Sequence, residues 1–520
     1  MEKPRFFTFF VFLQYRAMEV PTQMQANATT VGSGLSRQMG LLGLASTGIC
    51  SMLGASIYVV PFMIQRNVPG IGPYVLPAFL VAAIPAILAA FAYSILASAM
   101  PRAGGSYIYA SRGLHPYLGF VASFSQWFGL SIIIGVVSYV IVPFLRDIAT
   151  AMQWFNLADL LEQGKIRVTV ALVILWSFVW VNIRGVRAYE RTVIPLMFLM
   201  FGLGGIVIIA GFYFSQQDFA SALLIKENRT ILVVDSPFDF SIFLSASAIL
   251  FSSFIGFDSI AQAGGEAKNP QKALPIAIGI AIVTVGLFYM LFTAAVYHAV
   301  PWNFVAEEAM KKDITAPALM RYFLSPGWTI AIVTGAAIAL TNDLPAMLLS
   351  VSRLMFAWAE DGIFPKAVTQ VHSRYHTPHL AILVSGVMAT IGILGSHLAG
   401  DFFLGVDIMV TSMLVNFLVM CVSVIALPQR NPVLSRDVKV IQSRWMQVSL
   451  ASFGIMFLSV FLVIHIYKDL QTTVAAWYFH STPIWIIIMI LASFIYFREW
   501  INLKRSGVDI KELFSKLPPE

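Results

Sequence analysis

Two aspartates stand inside long apolar runs, where a carboxylate is costly and usually functional. Asp258 lies in the run Phe251–Ile260, and Asp343 lies in the run Leu340–Pro345. An ionised carboxylate at the centre of a bilayer costs about 3 kcal/mol on insertion scales, and such residues mark ion and substrate pathways. Each aspartate can be protonated through desolvation, bind a coupling cation or pair with a cationic substrate. For Asp258, a packing or hydrogen-bonding role beside a helix break stays open as an alternative.

The neighbours of Asp343 add further oxygen ligands. Because Pro345 has no N–H group, the carbonyl of Thr341 loses its helical donor. A hydroxyl, an amide, a carboxylate and a free carbonyl then occur within one turn, and oxygen-rich sites suit hard cations. We therefore predict a proton- or sodium-responsive coupling site, with a purely structural kink as the alternative. Its candidate residues are Asp258, Thr341, Asn342 and Asp343.

Two apolar runs are interrupted near their middle by glycine and small polar residues. The first contains residues 54–56 (Gly-Ala-Ser) ahead of Pro61, and the sixth contains Gly256. At membrane depth a broken helix is tolerated only where it faces protein or a wet cavity. Its freed N–H groups can hold a carboxylate, and its freed carbonyls can hold an ammonium group or a cation. Tight helix packing explains either break alone, whereas two breaks about 200 residues apart are typical of an inverted-repeat transporter.

The composition places these residues in a membrane. Of 520 residues, 58% are hydrophobic and 11% are charged, against about 25% charged residues in soluble proteins. A soluble enzyme and a disordered chain are both excluded. Runs long enough to span a bilayer occur near 41–65, 74–99, 117–145, 168–183, 192–214, 240–263, 274–298, 328–352, 378–399, 403–426, 447–466 and 475–497.

We therefore predict an all-α integral membrane protein with 12 transmembrane helices. Helices 1 and 6 are broken and begin the two halves of a five-plus-five inverted repeat, which two C-terminal helices follow. The predicted segments are an N-terminal tail at 1–40, repeats at 41–215 and 240–426, two additional helices at 447–497 and a C-terminal tail at 498–520.

The positive charges indicate the orientation. On this assignment all 33 Lys and Arg residues fall outside the spans, 23 of them on the side of the N-terminus. Such an excess marks the cytoplasmic side, so both termini are predicted to be cytoplasmic in a multi-pass protein of the cell membrane. The placement of Lys and Arg on the two sides of the lipid bilayer explains the net charge of +7. Nucleic acid is therefore not expected as a partner.

No residue pattern points to a cofactor, a metal site or an enzyme. Cys50 and Cys421 stand in apolar runs, as small buried hydrophobes do. The histidines of 372–379 flank a Thr-Pro in a predicted loop and are interpreted as solvated. No Walker A glycine loop is present, so a pump driven directly by ATP is not expected.

Several short motifs resemble those of the amino acid–polyamine–organocation (APC) permease family. They occur in that family's order between about residues 40 and 430, and together they are far more specific than any one of them. The segments are 53–58 (Leu-Gly-Ala-Ser-Ile-Tyr), 101–109, 182–186, 256–258 (Gly-Phe-Asp), 266–270 (Glu-Ala-Lys-Asn-Pro), 352–354 and 361–365.

This resemblance implies alternating access and a substrate that carries both amino and carboxyl groups. Its carboxylate would be held beside Gly54 by the backbone amides of Ala55, Ser56 and Ile57. Its amine would be held by the carbonyls of Cys50, Met52, Phe251 and Ser252. Phe254, close to Gly256, would line or gate the pocket.

Three departures from the family pattern matter. Ser56 replaces a glycine, which narrows the approach of the backbone. Ser252 stands where the arginine/agmatine exchangers have a gating tryptophan. Residues 192–214 contain no lysine, and Met200 occupies the aligned position, so coupling through a lysine in span 5 is not expected.

The sequence thus predicts a secondary active transporter for an amino acid, with a cationic amino acid as one option, coupled to protons or sodium ions. Amino acid exchange and the transport of polyamines or other organic amines are alternatives. A membrane nutrient sensor that binds without transport is an alternative of another class.

Overall fold

The computed structural model describes residues 34–54, 56–231, 236–312, 314–399, 403–472, 477 and 480–519. Over these residues the chain is largely helical and forms no strand. Two isolated β-bridges join Met39 to Ala267 and Ala103 to Ala263. The predicted all-α class is confirmed for the part of the chain that is described, and most of the predicted 1–40 tail lies outside it.

Within the described part of the chain, twelve helical segments are long and apolar enough to cross a membrane, as predicted. We number them as spans 1 to 12. Their bounds are Leu41–Asn67, Gly72–Ala99, Pro116–Ala151, Gly164–Ile183, Val186–Tyr213, Phe240–Gln262, Pro270–Ala299, Pro326–Glu360, His379–Leu398, Leu404–Arg430, Arg444–Gln471 and Ser481–Arg505.

Shorter helices lie between and after the spans. They are α-helices at Gly105–Gly113, Phe155–Glu162, Gln216–Glu227, Trp302–Lys311, Ala316–Met320, Pro432–Arg436 and Ile510–Ser515, and 3₁₀ turns at Gly264–Glu266 and Lys366–Thr369. Helix Gln216–Glu227 begins with a capping box, in which Ser215 and Asp218 bond each other's backbone N–H groups.

Spans 1 and 6 are interrupted where the small residues stand. Span 1 consists of helices Leu41–Met52 and Ser56–Asn67. In span 6 the helix Phe240–Leu250 passes into a 3₁₀ turn, Phe251–Phe254, and a last short helix begins at Ser259. The predicted breaks are therefore present, whereas the inverted relation between the two halves remains a prediction.

The buried centre of the bundle is formed mainly by spans 1, 3, 8 and 10, whereas spans 4, 11 and 12 are the most exposed. Span 8 packs along span 3 and also contacts spans 1 and 5. The two broken helices lie against this centre, since span 1 contacts spans 7 and 8 and the last helix of span 6 contacts span 8. Residues beside the breaks are thereby enclosed by protein, as broken helices require.

Arg353 corrects the prediction that every Lys and Arg lies outside the spans. The apolar run ends near residue 352, but the helix of span 8 continues to Glu360. Arg353 Nη2 lies 2.6 Å from Glu266 Oε1, and both side chains are buried. The helix can bury this cation because its charge is neutralised by Glu266. Other cations, such as Arg66 and Arg146, lie near the ends of helices that outrun their apolar stretches.

The end of the bundle that carries Met39 and the C-terminal segment is tied together by polar contacts. Met39 N donates to Glu266 O at 2.9 Å, and Lys268 N donates to Met39 O at 2.9 Å. Arg112 forms a buried ion pair with Asp361, and its Nε donates to Lys516 O at 3.2 Å. The segment that follows span 12 is therefore packed against the rest of the chain.

Candidate substrate site at the two helix breaks

The break in span 1 exposes backbone groups of both polarities. Met52 ends one helix and Ser56 begins the next, so the last carbonyls of the first and the first amides of the second lack intrahelical partners. The amides stand at the positive end of the helix Ser56–Asn67, which favours an anionic group. Ser56 is half-buried and Ile57 is buried. Ala55, the third predicted contributor, lies outside the described residues.

Asp343 faces this break across a glycine. A Cβ atom added to Gly54 would lie 3.1 Å from Asp343 Cγ and closer still to the carboxylate. Asp343 is 5% exposed, and its Oδ1 has no hydrogen-bond partner among the described residues. A buried carboxylate oxygen without a partner is costly. A proton or a bound cation at this place would remove that cost.

The side chains of the two residues before Asp343 form hydrogen bonds to different elements. Asn342 Nδ2 donates to Cys50 Sγ at 3.0 Å and to Val193 O at 3.1 Å, which ties span 8 to spans 1 and 5. The Thr341 hydroxyl instead donates to Ala337 O in its own helix, at 2.6 Å. Consecutive helical residues point about 100° apart. The structure therefore brings Asn342 and Asp343 to span 1, while the hydroxyl of Thr341 is bonded along span 8.

The break in span 6 touches the break in span 1 through Gly256. This residue has φ +135°, and a Cβ there would lie 2.5 Å from the Ser51 carbonyl carbon and 2.9 Å from Met52 N. Only glycine permits both that conformation and that approach. The two backbones are consequently in direct contact, and Ser51 Oγ also lies 3.1 Å from Ser259 Oγ.

The remaining residues predicted on span 6 lie in the same 3₁₀ turn. Phe251 and Phe254 are buried, and Ser252 is half-buried. The Ser252 carbonyl already accepts a bond from Ile255 N at 3.2 Å, so one of its two lone pairs is used. Phe254 packs beside Tyr289 and Phe79, with ring centroids 6.0 Å and 6.4 Å apart.

Asp258 belongs to a separate buried polar network. Gln126 Nε2 donates to Asp258 Oδ2, and Asn416 Nδ2 donates to Gln126 Oε1 at 3.1 Å and to Tyr93 OH at 2.7 Å. Tyr93 OH in turn lies 2.6 Å from Ser106 Oγ. All five side chains are fully buried. The amide partner of Asp258 comes from span 3, a contribution that the isolated sequence motif did not indicate.

Tyr289 on span 7 is the site residue that sequence reasoning missed. Its hydroxyl bonds the Ser56 hydroxyl and donates to Met52 O at 3.3 Å. The sequence has 17 tyrosines, and nothing in the apolar pattern of span 7 distinguishes this one. Only its place in the helix packing brings it to the break.

A family model described as amino acid permease matches residues 39–492. The chain belongs to the amino acid permease family. The resemblance that the motifs carried is thereby confirmed. The relatives found are permeases and transporters, so the prediction that the chain is not an enzyme is also confirmed.

Relatives within this family carry different substrates in their names. Cationic amino acid transporter 4 of Mus musculus is 28% identical over 379 residues, which cover 69% of this chain and 55% of that protein. The chain thus spans about half the length of that relative. Branched-chain amino acid permease BcaP of Bacillus subtilis is 25% identical over 421 residues, 79% of this chain and 85% of the relative. Methylthioribose transporter of the same organism is 24% identical over 490 residues, which cover 91% of this chain and 96% of that protein.

Proposed function

We propose that the chain is a secondary active transporter that carries an amino acid across the cytoplasmic membrane by alternating access. The observation that carries this proposal is the enclosed contact between two broken helices in a member of the amino acid permease family. Such breaks supply, at one place, donors for a carboxylate and acceptors for an amine. The predicted halves 41–215 and 240–426, with the helices of 447–497 added, provide the elements that would rock around this site.

The proposed substrate contacts follow the polarity of the breaks. The amides of Ala55, Ser56 and Ile57 take the carboxylate at the start of the second half of span 1. The amine is taken by carbonyls of Cys50, Met52, Phe251 and Ser252, and Phe254 closes the pocket. Met52 O accepts a bond from Tyr289 and Ser252 O accepts one from Ile255, so at these two carbonyls the amine would share or replace a partner within the protein.

Coupling is assigned to Asp343, with Asn342 fixing its side of span 8 against span 1. The buried carboxylate of Asp343 adjoins the proposed substrate groups at Gly54. A proton or sodium ion bound to it would therefore change the charge that the substrate meets. Asp258 is the second coupling candidate, and Thr341 a more distant contributor. The orientation with both termini in the cytoplasm rests on the excess of Lys and Arg on that side.

Uptake into proteoliposomes tests the proposal. We expect purified protein to accumulate at least one labelled amino acid when an inward proton or sodium gradient is imposed. A protein that binds amino acids and moves none would instead be a sensor. Movement only against an amino acid on the other side would establish exchange.

A substrate other than an amino acid is the second candidate. One relative that matches 91% of this chain is named for methylthioribose, and polyamines remain the alternative from the resemblance. Amines that match an amino acid but lack its carboxylate distinguish an amino acid permease from an amine permease, because such amines cannot use the amides at Ser56 and Ile57. Equal binding of the amino acid and its matched amine would favour the alternative.

A further inference from the structure

Tyr289 occupies polar groups of the span 1 break with its own side chain. Its hydroxyl donates to Met52 O at 3.3 Å. Because a tyrosine has one hydroxyl hydrogen, the hydroxyl of Ser56 is then the donor in the bond that joins it to Tyr289. Tyr289 therefore links the last residue of the first half of span 1 to the first residue of the second half.

The positions of these bonds coincide with the proposed substrate groups. The carbonyl of Met52 is one of the acceptors assigned to the substrate amine, and Ser56 carries one of the amides assigned to the carboxylate. The Tyr289 hydroxyl therefore satisfies Met52 O, which a substrate amine would otherwise satisfy, and its bond to the Ser56 hydroxyl lies beside the amide of the same residue.

The ring of Tyr289 connects this contact to span 6. Its side chain is fully buried. Its ring centroid lies 5.7 Å from that of Phe79 and 6.0 Å from that of Phe254. Since interiors are closely packed, the ring cannot leave the break unless these aromatic neighbours also shift. Movement of Tyr289 would thus change the contacts of Phe254, on the other broken helix.

We propose that Tyr289 is a gating residue. Its bonds to Met52 and Ser56 hold the break of span 1 in the observed arrangement, which we call closed, and the substrate displaces it. This inference rests on the proposed substrate site. The hydroxyl competes with the substrate amine for Met52 O, and the ring transmits its displacement to Phe254. Removal of the hydroxyl alone frees both the carbonyl and Ser56 while the ring remains in place.

Tyr297 provides a matched control on the same span. Its hydroxyl donates to Pro61 O at 2.8 Å and accepts from Gln65 Nε2 at 3.4 Å. It therefore also bonds span 7 to the second half of span 1, but away from the break. Tyr289→Phe and Tyr297→Phe remove the same atom from two comparable places.

Binding of L-arginine and of L-leucine to the purified full-length protein is the first measurement. We expect Tyr289→Phe to bind whichever of them the wild type binds about 3- to 10-fold more tightly, the range that the loss of one competing hydrogen bond implies. Tyr297→Phe should leave the dissociation constant unchanged. Equal or weaker binding by Tyr289→Phe would overturn the gating role and indicate a structural or substrate-holding hydroxyl.

Amide hydrogen exchange without any ligand is the second measurement. We expect peptides that cover residues 50–58 to exchange faster in Tyr289→Phe than in the wild type, and Tyr297→Phe to leave these peptides unchanged. Unaltered exchange at 50–58 in Tyr289→Phe would contradict the gate whatever the substrate is. If the wild type binds neither amino acid while exchange responds as expected, the substrate assignment fails and the closing role of Tyr289 stands.

Discussion

Gly54 and Asp343 are in direct contact across the break of span 1. A single added carbon at Gly54 would come within 3.1 Å of Asp343 Cγ, so the backbone of span 1 and the carboxylate of span 8 leave no room for a side chain between them. The close approach places a buried carboxyl group beside backbone groups that can bind a zwitterion. This relation joins the proposed substrate site to the proposed coupling site.

Gly54→Ala should abolish this contact. The new Cβ displaces either the Asp343 side chain or the backbone of span 1, because interiors have no spare volume there. We expect uptake to fall at least about 10-fold and the free energy of unfolding to fall by about 1–3 kcal/mol. Gly279→Ala on span 7 is the control, since a Cβ there meets nothing within 4 Å. Wild-type uptake by Gly54→Ala would remove the contact from the mechanism.

Asp343→Asn should separate coupling from substrate movement. The amide keeps the shape of the side chain but cannot take up a proton as a carboxylate does, and it binds sodium more weakly. We expect uptake by proteoliposomes to lose its dependence on the imposed gradient, while exchange of labelled for unlabelled substrate continues. The exposed Asp159→Asn should behave as wild type. Gradient dependence that survives in Asp343→Asn would eliminate this residue as the coupling group and leave Asp258 as the candidate.

Glu266→Gln should weaken the tie between the exit of span 6 and span 8. Arg353, 1% exposed, would keep its buried charge without the carboxylate that lies 2.6 Å away. Removing one partner of a buried pair typically costs about 3–5 kcal/mol. Thermal unfolding in detergent measures this loss. Glu512→Gln removes the exposed pair with Lys516 and should cost less than about 1 kcal/mol. Equal losses of stability in Glu266→Gln and Glu512→Gln would show that the buried pair stabilises the fold no more than the exposed one.

Arg229→Gln should lower stability in a pH-dependent way. Burial raises the pKa of the Glu308 carboxyl, but hydrogen bonds from Arg229 and Lys312 outweigh it and leave this pKa below its usual value. The stability that ionised Glu308 contributes through these bonds is therefore fully present above the pKa of about 4.3 that a glutamate has in the unfolded chain. It is lost as the pH falls through the lower pKa of the folded state. We expect the difference in Tm between wild type and Arg229→Gln to be larger at pH 7 than at pH 3.5. A difference that is constant with pH would exclude this linkage.

The helical architecture could be predicted from the sequence because it depends on local properties. Runs of apolar residues long enough for a bilayer gave all 12 spans, and Gly54 and Gly256 marked the two breaks that the structure contains. The extension of span 8 past Arg353 could not be read from hydropathy. It depends on Glu266, a partner 87 residues away in the chain.

The partners within the site could not be predicted, because they depend on how helices pack side by side. Asp343 is buried, as its place in an apolar run predicts, but its contact with Gly54 exists only because span 8 lies against span 1. The same limit hid Tyr289 and Gln126. A single tyrosine or glutamine in an apolar run has no periodic or compositional signal that reveals what it faces.

Gradient-driven uptake by wild-type protein and by Gly54→Ala is the measurement that tests the central claim most directly. Proteoliposomes would receive each of the twenty labelled amino acids, and separately methylthioribose, with and without inward proton and sodium gradients. We predict that the wild type accumulates at least one amino acid under one of these gradients and that Gly54→Ala does not. Accumulation of methylthioribose alone, or equal accumulation of an amino acid by both proteins, would contradict the account.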